Sequence, residues 1–141
     1  MNILIVDDDE GFRDLLNEAL GNDPLLALTL ASSPHEAWWL LSDPANRFDL
    51  AIIDIKMREA TGLALLKRIR ECQRQRHLPV IMCSGTNDRE TILHTGQLGA
   101  NYYLIKPFKM ETLLNKVHEL GLRRRAPLIH QNGSTSPVTA A

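Results

Sequence analysis

Cysteine is almost missing from this chain: there are 2 in 141 residues, Cys72 and Cys83. Two thiols without metal-ligand spacing argue against both a disulfide framework and a zinc site, and read as a reduced pair. No apolar run is long enough to span a bilayer. No basic segment followed by an apolar stretch opens the chain. The resulting expectation is a cytoplasmic protein without membrane contact. The formal net charge is only -1, so no global field recruits nucleic acid. No Gly-x-Gly-x-x-Gly follows the first apolar run, which removes the main support for dinucleotide binding. There is no internal repeat.

What is present is a 44% hydrophobic content in a length that suits one domain. All 17 acidic residues precede residue 122, against 13 of the 16 Lys and Arg, so the body carries about -4. Short apolar runs alternate with longer amphipathic stretches. Strands are expected at residues 2–7, 25–31, 49–54, 79–83 and 101–105. The runs are apolar throughout rather than alternating, as a sheet covered on both faces requires. Helices are expected at 10–21, from Ser33-Pro34 with Ser33 as its cap, from about Thr61, at 88–97 and at 109–120. Five strands alternating with five helices imply an α/β domain of parallel βαβ units with helices on both faces. The pattern breaks near Leu122. Residues 1–121 are therefore expected to form the domain. Residues 122–141, with Arg123-Arg124-Arg125 and the turn-rich Gln131 to Pro137, are expected to form a flexible tail or a linker to an absent output domain.

Five residues stand where these runs end: Asp7, Asp8, Asp54, Ser84 and Lys106. In an open parallel sheet, ligands bind at the carboxyl edge of the strands. Three carboxylates, a hydroxyl and an ammonium at one edge suit a divalent cation and a phosphoryl group. Carboxylates a few ångströms apart raise one another's pKa unless neutralised. Hard oxygen ligands of this kind suit Mg²⁺. Helix N-termini would account for an isolated Asp8 or Asp9, but for neither Ser84 nor Lys106.

In order, Ile5-Val6-Asp7-Asp8-Asp9, Asp54, Gly62, Ser84-Gly85 and Lys106-Pro107-Phe108 resemble the motifs of two-component response regulator receiver domains, over about residues 2–120. The resemblance implies a flavodoxin-like, doubly wound sheet of order 2-1-3-4-5. It implies that Asp54 is the phosphoacceptor, taking a phosphoryl group from the phosphohistidine of a sensor histidine kinase. Asp7, Asp8, Asp54 and the backbone carbonyl of Lys56 would hold Mg²⁺, while Ser84 and Lys106 would contact phosphoryl oxygens. It further implies a cis peptide between Lys106 and Pro107, and a switch formed by Ser84 and Tyr103. The surface of the fourth helix, fifth strand and fifth helix would respond, and a homodimer could form there. Such a domain assists its own phosphorylation and dephosphorylation rather than turning over a substrate. A start at Met1 resembles the N-terminus of a response regulator, either truncated or naturally a single domain.

Several residues depart from that pattern. Arg58 stands where the family often has Pro. Lys56 either shields the acyl phosphate, pairs with Glu59 or is simply solvated. Trp38 and Trp39 cannot share a helix face, so one ring should be core and the other partly exposed. The basic run Lys67-Arg68-Ile69-Arg70 with Arg74 and Arg76 is expected to form a solvated face. An aspartyl-nucleophile phosphatase is the alternative enzyme class, but its second Asp is replaced by Lys56 and there is no length for a substrate cap. A receiver-like module that acts by binding alone would not need the intact acidic set. A calcium loop at Asp7 to Gly11 lacks the twelve-residue ligand pattern.

Overall fold

Runs that are apolar on both sides must be covered on both sides, and that requirement builds the molecule. The computed structural model describes residues 1–125, with side chains through residue 121. Strands β1 (Asn2–Val6), β2 (Ala27–Ala31), β3 (Leu50–Asp54), β4 (Val80–Ser84) and β5 (Tyr102–Ile105) alternate with helices α1 (Glu10–Gly21), α2 (Pro34–Ser42), α3 (Gly62–Glu71), α4 (Arg89–Gln97) and α5 (Met110–Arg125). All strand pairs are parallel, and the sheet order is β2-β1-β3-β4-β5. This is the expected doubly wound order. Register sets Asp54 level with Cys83, and Ser84 level with Ile105, the residue before Lys106. The chemistry-bearing residues thus reach one edge together.

Side chains alternate across the sheet with a period of two, and they divide the core accordingly. Leu4, Val6, Ala51, Ile53, Val80, Met82 and Tyr103 face one side, where Ala37 and Leu41 of α2 and Leu65, Leu66 and Ile69 of α3 cover them. Ile3, Ile5, Leu50, Ile52, Ile81, Cys83 and Leu104 face the other, against Leu16 and Leu20 of α1 and Leu113, Val117 and Leu120 of α5. β3 and β4, in the middle, are buried at every position. Each fully buried Val, Leu, Ile or Met among them contributes about 1.5–3 kcal/mol relative to leaving it in water.

Four helices start in the same way. The side chains of Asp9, Ser33, Thr61 and Asp88 accept the N–H three residues on, from Phe12, Glu36, Ala64 and Thr91. A cap of this kind contributes about 1 kcal/mol. It also sets where the chain leaves the sheet edge.

The structure corrects several expectations. β2 begins at Ala27 rather than residue 25, because Asp23 turns the chain just before it. The Asp23 carboxylate accepts the N–H of Leu25, and its carbonyl accepts that of Leu26. Leu25 is consequently left exposed. α5 runs on to Arg125, past the expected end at residue 120. The expected tail from 126 onward lies outside the described residues. Neither tryptophan is fully core: Trp38 is partly buried beneath the Arg68 guanidinium, 4.2 Å from its ring centre, and Trp39 is 71% exposed.

The basic run is not all solvated. Arg70 turns inward and donates to the carbonyls of Gly99, Arg76 and Leu78 and to the Asn101 side chain, at 2.6–3.2 Å. It joins the end of α3 to the turns leading into β4 and β5. Gly99, which receives it, holds a positive φ of 99°, a conformation that glycine tolerates.

Candidate functional site

Asp7 follows β1 directly, and Asp54 closes β3. Both are buried, at 2% and 8% exposure. Asp8 is half-buried beside them, and one carboxylate oxygen from each of the three lies within 4.8 Å of the others. The sequence placed these residues at adjacent strand ends, and the fold brings them together. Such a set of hard, anionic oxygens fits a small divalent cation. It also repels itself and needs positive charge in place.

Lys106 supplies part of that charge. It leaves β5 on a cis peptide bond to Pro107. Its Nζ lies 2.9 Å from Asp7 Oδ2 and 3.6 Å from Asp54 Oδ1. The ammonium also rests 3.8 Å from the centre of the Phe12 ring, which meets Phe108 edge-on. Burial works against the lysine's charge. The Asp7 hydrogen bond and the fields of Asp54 and Asp7 outweigh it, and the pKa stands above the ordinary lysine value.

Asp54 has the opposite balance. Desolvation by burial is the largest influence and raises its pKa. Lys106 pulls it back, the Asp7 field raises it again, and the result is a carboxyl pushed up to about 6. Asp54 is therefore a poorly solvated carboxyl with a strongly shifted pKa at the carboxyl end of β3.

Ser84 ends β4 and is 1% exposed. Its Oγ accepts the Thr86 N–H at 3.1 Å. Tyr103 is fully buried, with its hydroxyl donating to the Thr86 carbonyl at 2.7 Å. Burial raises the Tyr103 pKa, so the phenol stays a neutral donor. Ser84 and Tyr103 thus meet on the same loop residue. Cys83 lies in the buried core on the opposite face of β4, and burial pushes its thiol up, leaving it inert as a nucleophile.

The loop after Asp54 is closed at its base. Lys56 bridges to Thr61 in an isolated antiparallel pair, and the Gly62 N–H donates to the Ile55 carbonyl at 2.7 Å. Gly62 lies so close to the strand end that a β-carbon there would overlap the Asp54 carbonyl oxygen. The Lys56 side chain is exposed, and among the described residues it forms no ion pair with Glu59. At the loop tip Arg58 reaches Asp8: its backbone N–H lies 2.9 Å and its Nε 3.6 Å from Asp8 Oδ2.

Sequence reasoning missed the contacts made here by three residues, of which the sequence marks only Thr86, beside the path of an attacking water. Phe12 read as part of an apolar helix stripe, and nothing in its spacing marked it as the surface beneath Lys106. Arg13 donates to the Asp7 carbonyl at 2.7 Å. The Thr86 backbone donates to Ser84 and accepts from Tyr103, contacts that no side-chain motif reveals.

The sequence profile of the response regulator receiver domain matches residues 3–118. The chain is 32% identical over 120 residues to the chemotaxis protein CheY of Pseudomonas aeruginosa, covering 85% of this chain and 95% of that one. Among solved structures, a two-component response regulator from Clostridium difficile superposes with a TM-score of 0.79 at 29% identity, over 90% of this chain and 99% of the other. The response regulator TrrA from Thermotoga maritima, solved in complex with Mg(2+)-BeF, superposes at 0.73 with 28% identity, over 84% and 97%. An acidic trio at the sheet edge, a lysine bridging its two buried members and a β2-β1-β3-β4-β5 sheet agree with these matches, and the chain belongs to the response regulator receiver domain family.

Proposed function

We propose that Asp54 accepts a phosphoryl group from the phosphohistidine of a sensor histidine kinase. The observation that carries this reading is the pairing of a buried Asp54 with Lys106, whose ammonium lies between Asp54 and Asp7. An Asp54 carboxylate oxygen attacks phosphorus, the bond from phosphorus to the histidine nitrogen breaks, and the electron pair returns to the imidazole. The product is an acyl phosphate on Asp54. Lys106 stabilises the charge that builds on the phosphoryl oxygens, and the Ser84 hydroxyl donates to one of them while still accepting from Thr86. Asp7, Asp8, Asp54 and the Lys56 carbonyl would hold Mg²⁺, and the Mg(2+)-BeF complex of TrrA supports that choice of cation. Bound there, the ion would offset negative charge between carboxylates and phosphoryl group.

The same chain would assist its own phosphorylation and the later hydrolysis, acting as a switch rather than as a turnover enzyme. Ser84 and Tyr103 would pass the change through Thr86 to the surface formed by α4, β5 and α5. A homodimer through that surface is the simplest readout, and Leu93 on α4 is exposed there. We place the protein in the cytoplasm, acting on no nucleic acid directly. No helix among the described residues is long and apolar enough to cross a membrane.

Incubation with Mg²⁺ and acetyl phosphate, followed by intact-mass measurement, tests the chemistry. One labile phosphoryl adduct is expected, absent from Asp54→Asn and absent when Mg²⁺ is removed during labelling. Because Asp54 must be ionised to attack, the labelling rate should rise with pH, with a midpoint below the metal-free value of about 6 because Mg²⁺ favours the ionised carboxylate. An adduct that persists in Asp54→Asn would place the nucleophile elsewhere.

A further inference from the structure

The three carboxylates of the acidic cluster are matched by two side-chain cations, and the two differ in kind. Lys106 serves Asp7 and Asp54 from a largely buried position, with 24% of its side chain exposed. Arg58 serves Asp8 from the loop between β3 and α3, with 88% of its side chain exposed. Withdrawing Lys106 would strand a buried charge, which is costly. Arg58 can leave Asp8 for water at little cost.

We propose that the Arg58 side chain is an internal counter-ion that competes with the divalent cation for Asp8, and so sets how readily the acidic cluster loads. Two features hold it in that role. The Lys56–Thr61 bridge and the Gly62 N–H bond close the base of the loop. Met57, packed against the core, anchors its tip. The Arg58 backbone is thereby fixed with its N–H on Asp8 Oδ2, 2.9 Å away, and the guanidinium stays at high local concentration beside that same oxygen. The arginine also borders a cavity of about 230 Å³ with Ser32, Ser33 and Glu59, which gives the released side chain room and an alternative carboxylate. A divalent ion that takes Asp8 Oδ2 displaces the guanidinium Nε but not the backbone N–H. Loading therefore costs one ion pair, and Arg58 tunes cation affinity without touching the phosphoryl group.

The inference rests on the cation reading above, and the test separates the two. Mg²⁺ affinity is measured by calorimetry on wild type, Arg58→Ala and Arg76→Ala. The last removes the same charge at the opposite edge of the sheet. Arg58→Ala should bind Mg²⁺ about two- to fivefold more tightly, the range an exposed ion pair allows, while Arg76→Ala should match wild type. The Arg58 Nε–H resonance of wild type should shift as Mg²⁺ saturates. Equal affinities for Arg58→Ala and Arg76→Ala, weaker binding by Arg58→Ala, or an unmoved Arg58 resonance at saturation would overturn the inference and leave the cation reading standing. Asp8→Asn supplies the other arm: binding that survives it unchanged places the ion elsewhere and removes both. Failure of both wild type and Arg58→Ala to bind also removes both, whereas binding by Arg58→Ala alone supports the inference in its strongest form.

Discussion

Asp54→Asn should make this protein more stable at neutral pH when Mg²⁺ is absent. The Asp54 carboxyl is raised from 3.8 to about 6, first by burial and then by the fields of Asp7 and Asp8, against the pull of Lys106. At 1.36 kcal/mol for each pKa unit, keeping the group ionised in the fold costs about 3 kcal/mol at pH 7.5. The rise to about 6 already includes the Lys106 attraction, and the asparagine amide still loses water at this buried position, so a net gain of about 2 kcal/mol is expected. For a chain of this size that is a rise in Tm of roughly 8 °C. The sign in pH follows from proton linkage. The folded state holds the Asp54 proton more tightly than the unfolded chain, so wild-type stability from this group is fully present below 3.8 and is lost as pH rises through about 6. The advantage of Asp54→Asn should therefore shrink to about a third at pH 5. Mg²⁺ at ten times its dissociation constant should recover about 1.4 kcal/mol for wild type. Urea denaturation at pH 5 and pH 7.5 reads all of this. No gain at pH 7.5, or a gain of equal size at both pH values, would refute the claim that burial of an ionised Asp54 strains the fold.

Gly62→Ala should push the Asp54 carbonyl aside, since the new β-carbon would overlap it and also approach Ile53 Cγ2 at 2.9 Å. A loss of about 2 kcal/mol in urea denaturation is expected, together with slower acetyl phosphate labelling than an equally destabilising core change such as Leu120→Ala. Arg70→Ala leaves the carbonyls of Gly99, Arg76 and Leu78 without their shared donor and should cost about 2–3 kcal/mol. Arg74→Ala, at a more exposed position of the same basic run, should cost less than about 1 kcal/mol.

The strand ends were readable because each apolar run is bounded by the residue that carries the chemistry. Val6 gives way to Asp7, Ile53 to Asp54, Cys83 to Ser84 and Ile105 to Lys106, and a covered parallel sheet sends all four to one edge. Helix starts were readable for a similar reason, since Ser33 and Thr61 are short polar caps ahead of an apolar stripe. Contacts between elements left no such mark. Arg58 and Asp8 are 50 positions apart, and neither a period nor a spacing connects them. The basic run containing Arg70 looked solvated because charge alone does not say which side chain turns inward. Only the fold reveals the carbonyls at the start of β4 and β5 that need a donor. The false start of β2 at Leu25 came from hydropathy outweighing a local turn: Asp23 folds back on Leu25 before the strand can begin.

The Arg70 contacts have a mechanical consequence for α4. The carbonyl of Gly99, just past the end of that helix, is gripped by both Nε and Nη2 of Arg70, at 2.9 and 2.8 Å. At its other end α4 begins two residues beyond Thr86, at the Asp88 cap, on the loop where Ser84 and Tyr103 meet. A rod pinned at one end and pushed at the other becomes a lever. Movement that begins at Thr86 would be greatest at Asp88 and fall away toward Gly99, so α4 would tilt rather than slide. A change of a fraction of an ångström beside Asp54 would then be delivered as an angle at the first turn of α4, while the amino edge of the sheet stays still.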